Sequence, residues 1–141
     1  MKKNTNYWPI LGKINAFFLR KIARANDTGT NGPVDKKLAS KMSQWVLEKK
    51  WAENLTMKQV ADSLGVTSEE LGLYSVSHWG KNFLQWRKEI RIEEAKRLLL
   101  EQRNMPATLI GEMVGIGDKS NFRKQFRELA GCSPAEWRLK N

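Results

Sequence analysis

The sequence predicts an all-α protein, and three observations carry that expectation. Apolar residues recur at helical spacing along most of the chain, no run alternates with the two-residue period of a strand, and helix ends are marked by capping pairs and glycines. Its 141 residues suffice for one compact domain or two very small ones. Lysine and arginine number 25 against 15 aspartates and glutamates, a net charge of +10 that favours an anionic partner, either nucleic acid or an acidic membrane surface. One cysteine, Cys132, and one histidine, His78, exclude an internal disulfide, a His/Cys zinc site and a redox pair. No uncharged apolar run approaches the roughly 18 residues of a spanning helix. The expectation is a cytoplasmic chain with no cofactor, no metal and no catalytic residues.

The elements follow in order. Residues 1–24 carry six basic and no acidic groups, with Ile10, Leu11, Ile14, Phe17, Phe18 and Ile22 at helical spacing, which predicts an extra basic amphipathic helix. Residues 25–34, rich in Gly, Thr, Asn and Asp, read as a flexible linker. Leu38, Met42, Trp45 and Val46 mark an amphipathic helix from about Asp35 to Trp51. Thr56 with Gln59 forms a capping box, Leu55 and Val60 supplying its hydrophobic staple; Thr67 with Glu70 repeats the device, with Val66 and Leu71. Asn82 with Gln85 is a weaker variant that opens a long helix to about Gln102. Ser133, Pro134 and Glu136 supply an N-cap, the favoured first-turn proline and the returning carboxylate. Gly65, Gly115 and Gly131 sit where helices should stop.

Sliding the chain on itself exposes a repeat. Val60, Ala61, Leu64, Gly65 and Val66 match Ile110, Gly111, Val114, Gly115 and Ile116; further on, Leu71 matches Phe122, Gly80 matches Gly131, and Trp86-Arg87 matches Trp137-Arg138. Each copy reads as a helix-turn-helix: a small residue (Ala61, Gly111) admits a close helix approach, a glycine takes the left-handed turn, and Leu71 or Phe122 plugs the second helix into the core. The first unit spans about 56–78, the connecting helix about 82–102 and the second unit about 106–129.

On these residues, residues 35–141 resemble the DNA-binding domain of the AraC/XylS family of bacterial transcription regulators. The likeness rests on Leu55 to Leu71, on Arg91, Ile92, Ala95, Leu98 and Leu99, and on Ile110, Gly115, Ile116, Phe122, Phe126, Gly131, Pro134 and Arg138. Gly111 stands where the family usually has alanine, and Ser75 where it has a bulky aromatic. The resemblance implies a seven-helix domain whose two helix-turn-helix units enter successive major grooves. Independently, a connecting helix of about 20 residues measures about 30 Å, close to the roughly 34 Å between such grooves. About 34 residues precede the domain, fewer than a β-rich sensor needs, which predicts a stand-alone DNA-binding domain or a shortened paralogue.

At 100° per residue, Phe122, Phe126 and Leu129 fall on the inner face of the second recognition helix, leaving Ser120, Arg123, Lys124 and Arg127 outward with Lys119 near the helix start, a set suited to phosphates and guanine edges. In the first unit Leu71, Tyr74, Ser75 and His78 face inward, and Ser68, Glu69, Gly72, Leu73 and Val76 form the candidate DNA face. That face has no basic side chain. Glu69 could accept from a cytosine amino group, and Leu73 or Val76 could touch thymine methyls. Alternatively, the helix has little DNA affinity and its apolar pair meets a protein, RNA polymerase included, or the N-terminal helix. The predicted function is a sequence-specific double-stranded DNA-binding regulator; the rivals are a protein-interaction module on the same scaffold and, less favoured, a membrane-surface protein. His78 and Cys132 read as packed side chains, Trp86 and Trp137 as core anchors, and Gly115-Gly117-Lys119-Ser120 fails as a phosphate loop because Asp118 interrupts it and no strand precedes it.

Overall fold

Capping pairs set the element boundaries in the computed structural model, which describes residues 33–141. The predicted N-terminal helix lies outside the described residues. The described chain runs α1 (Pro33–Leu47), a 3-10 turn η1 (Lys50–Ala52), α2 (Met57–Leu64), α3 (Ser68–Trp79), α4 (Phe83–Glu101), α5 (Ala107–Met113), α6 (Lys119–Ala130) and α7 (Pro134–Lys140), with no strand among the described residues. The seven-helix, all-α expectation holds.

Thr56 Oγ1 accepts from the Gln59 amide at 3.1 Å while Gln59 Oε1 accepts from the Thr56 amide at 2.9 Å. Thr67 with Glu70 and Ser133 with Glu136 close the same reciprocal box, and Pro134 opens α7. Asn82 accepts from the Gln85 amide at 2.8 Å, but the Gln85 side chain turns to Glu89, so only half of that box forms. Asp118 caps α6 by accepting from the Asn121 amide at 2.7 Å. In the sequence Asp118 stands out only as a break in a phosphate-loop pattern.

Two boundaries differ from expectation. The first helix opens on Pro33, inside the predicted linker, and ends at Leu47 rather than running to Trp51. Lys49 adopts the left-handed region at φ 57°, which breaks the helix and turns the next residues into η1. Trp51 is thereby driven into the core, 2% exposed, with its indole N–H donating to the Val46 carbonyl at 3.3 Å. Lys49 is itself buried, close to the buried carboxylate Glu94, to which Arg97 donates at 3.1 and 3.2 Å. Burial raises the Glu94 pKa against the opposing pull of Arg97 and Lys49. This charge cluster ties the α1–η1 break to α4.

α4 is the spine. Its 19 residues span about 28 Å, and it packs against η1, α3, α5, α6 and α7. Phe83, Trp86, Ile90, Ile92, Ala95, Leu98 and Leu99 bury along it. Trp86 stacks on Trp79 with centroids 3.9 Å apart and on Trp45 at 6.0 Å; the matching Trp137 is half-buried, edge-on to Phe126 at 6.2 Å. Gly111 is explained by its neighbour: a Cβ there would lie 2.8 Å from Cγ of Phe122, so the aromatic plug of this copy occupies the space of an alanine methyl.

The repeat also has a hydrogen-bonded counterpart. Arg87 donates to the Leu55 carbonyl at 2.6 Å, and Arg138, its match, donates to the Met105 carbonyl. Both carbonyls immediately precede the N-cap of a helix-turn-helix, so each Trp-Arg pair holds the entry to one unit. Arg138 additionally donates to the carbonyls of Leu99 at 2.9 Å and Gln102 at 2.8 Å.

Candidate nucleic-acid interface

In α6 the Asp118 cap fixes the first turn, and the burial of Phe122 and Phe126 fixes the rotation about the axis. Leu129, expected in the core, is half-buried against it. Lys119, Ser120, Arg123, Lys124 and Arg127 all lie exposed, Lys119 at the helix start and the other four away from the buried pair. Lys119, Arg123 and Arg127 also line a cleft of about 310 Å³ with Thr108 at the start of α5 and Ser133 at the start of α7. Ser120 and Lys124 stand outside this cleft. Arg127 approaches Glu136 at 3.8 Å, between side chains 63% and 50% exposed, which is too loose and too wet to immobilise it. The Glu136 carboxyl is held below its usual range first by the Ser133 backbone N–H and then by the Ser133 hydroxyl.

In α3 the two capping-box residues set the start, and Leu71, Tyr74, Ser75 and His78 are buried. Ser75 is tolerated in the core because its hydroxyl donates to the Leu71 carbonyl at 2.8 Å. The His78 ring stacks on Tyr74 at 3.9 Å and its Nδ1 lies 3.0 Å from the Tyr74 carbonyl oxygen, the environment of a packed histidine. Glu69 is exposed, Ser68 and Gly72 are half-buried, and Leu73 and Val76 are 73% and 57% exposed. α3 contains no lysine or arginine.

Arg91 has no role in the sequence beyond the family likeness. It lies buried in α4 and donates to the Trp51 carbonyl at 2.6 Å and the Glu53 carbonyl at 2.9 Å. Burial, then the neighbouring Arg87, push its pKa down to about 9, and the guanidinium remains the donor at neutral pH. Gly115, in the turn of the second unit, packs against Ala52 between those two carbonyls. Arg91 thus ties η1, just before the first unit, to α4 beside the turn of the second unit. Its backbone acceptors are invisible in the sequence.

Among the described residues no group of three or more His, Cys, Asp or Glu could hold a metal ion, and no helix is long and apolar enough to cross a membrane.

Two helix-turn-helix units carried by one connecting helix define a DNA-binding domain of the kind found in transcription regulators. The chain belongs to the AraC-type helix-turn-helix family: a family model described as a helix-turn-helix domain matches residues 60–140. It is 27% identical over 125 residues, 89% of its length, to the arabinose operon regulatory protein of Escherichia coli. It is 29% identical over 103 residues, 72% of its length, to the transcriptional regulatory protein YesN of Bacillus subtilis. The chain spans 42% of the first relative and 28% of the second. Among solved structures, the C-terminal domain of AraT, a response regulator from Geobacillus stearothermophilus, superposes with a TM-score of 0.68 at 25% identity, covering 80% of this chain and 89% of that one. The C-terminal domain of the two-component response regulator YesN from Fusobacterium nucleatum gives 0.64 at 25% identity, covering 71% and 97%.

Proposed function

We propose that the chain regulates transcription by binding double-stranded DNA at specific sequences, with its two helix-turn-helix units in adjacent major grooves. The observation that carries this reading is the exposed surface of α6, where Ser120, Arg123, Lys124 and Arg127 lie away from the buried Phe122 and Phe126 and Lys119 stands exposed at the helix start. Guanidinium and ammonium groups on such a helix pair with phosphates and with the O6 and N7 acceptors of guanine. The length of α4, about 28 Å, supports engagement of two grooves roughly 34 Å apart.

Gel-shift titration against mixed genomic DNA at two salt concentrations tests the proposal. Affinity should fall steeply with salt, because each phosphate neutralised releases counterions. A protein-interaction module on the same scaffold, the reading favoured by exposed Leu73 and Val76, predicts no such dependence.

Glu69 supplies a further expectation. A carboxylate near phosphates is repelled, so Glu69→Ala should tighten binding slightly on every duplex. A loss confined to sites with cytosine at one position, seen in a binding-site selection, would make Glu69 a reader of the cytosine amino group instead.

A further inference from the structure

We infer that α3 recognises thymine through its C5-methyl groups, with Leu73 and Val76 as the reading ridge and Gly72 as the gap that lets the ridge reach the groove floor. The inference rests on the proposed DNA binding and names what the first unit reads.

Two observations on α3 and one property of the major groove converge. Leu73 and Val76 are the large apolar side chains that this helix leaves in solvent, at 73% and 57% exposure, and the core makes no use of them there. The helix carries no lysine or arginine and Glu69 adds a negative charge, so phosphate and guanine recognition have no cationic donor on it. In the major groove the thymine methyl is the apolar group an aliphatic side chain can contact.

Gly72 supplies the independent observation. It sits inside a 12-residue helix, where glycine is less stable than alanine. Among the described residues nothing requires it: a Cβ at Gly72 would meet the Met57 methyl at 3.6 Å, an ordinary contact. The gap it leaves lies on the stripe that also holds Glu69, Leu73 and Val76 and would admit close approach of a duplex. The spacing fits a duplex. Leu73 and Val76 are three residues apart, about 4.5 Å along the axis, against about 3.4 Å per base-pair step, so the two side chains meet neighbouring base pairs. The units then divide the work, α6 supplying charge and α3 supplying shape.

The test is a thymine-to-deoxyuridine scan of the preferred site, which removes one methyl at a time without altering Watson–Crick pairing. With the full chain, the sites read by α3 should lose about fourfold in affinity per methyl, the equivalent of roughly 0.8 kcal/mol at 1.4 kcal/mol per tenfold, with an unchanged salt slope. Leu73→Ala, a change at an exposed position, should bind thymine and deoxyuridine duplexes alike at one of these sites. Gly72→Ala should raise the melting temperature and weaken binding to the thymine site. Steep, salt-dependent binding that ignores every methyl overturns this inference alone and points the ridge at a protein. No binding to any duplex at low salt overturns both this inference and the DNA-binding reading beneath it.

Discussion

Gly115→Val is expected to destabilise the domain by about 2–5 kcal/mol, a combination of backbone strain and overpacking, and to lower the melting temperature by about 10 °C or more. Two costs add at one residue. Gly115 has φ +95°, where a β-branched side chain is strained, and a Cβ there would lie 2.6 Å from the Ala52 carbonyl oxygen and 3.1 Å from Cζ of Arg91. Neither neighbour can yield cheaply. Ala52 belongs to η1, and Arg91 is held by hydrogen bonds to Trp51 and Glu53 on either side of it. The clash arises at Cβ, so Gly115→Ala should be nearly as harmful as valine. Gly131 is the control: its φ of +81° is similar, but among the described residues a Cβ at that position would meet nothing within 4 Å, and Gly131→Asn should cost far less. Thermal unfolding followed by circular dichroism checks all three variants. A Gly115→Ala protein melting within about 2 °C of wild type would show that the second turn does not bear on η1.

That contact also marks what the sequence could and could not reveal. The caps were legible because a capping box is a local device: Thr56 with Gln59 and Thr67 with Glu70 need only each other and their own backbone. The faces of α3 and α6 were legible because 100° periodicity places Leu71, Tyr74 and Ser75, or Phe122 and Phe126, on one side. The early end of α1 was not, because Lys49 in a left-handed conformation is a tertiary compromise, stabilised by its buried position near Glu94. Nor were the roles of Arg87, Arg91 and Arg138. Each guanidinium serves backbone carbonyls 32 to 40 residues away, and a carbonyl acceptor has no side-chain signature. In a chain of net charge +10 such arginines are easily counted as DNA-facing, although these three hold the scaffold. The departure at Gly111 was visible, whereas its compensation by Phe122 needed the packing.

The exposed arginines of α6 are the ones whose loss should be felt at the DNA. Arg123→Ala and Arg127→Ala should each weaken binding by about 1–3 kcal/mol if the side chain meets a base, or lower the salt slope by about one if it meets a phosphate. Both line the cleft beside Lys119, one helical turn apart, so each side chain reaches the same stretch of backbone or base edge. The fold should not notice either change. Arg123 is exposed, and the Arg127–Glu136 approach at 3.8 Å between largely exposed groups contributes no more than about 1 kcal/mol. Unaltered melting temperatures therefore make any affinity loss a report on the interface. The double variant should lose less than the two single losses combined if both arginines serve one phosphate, and their full sum if they serve separate base pairs. Affinity and salt slope both unchanged in the double variant would remove α6 from the interface, and with it the observation on which the proposed function stands.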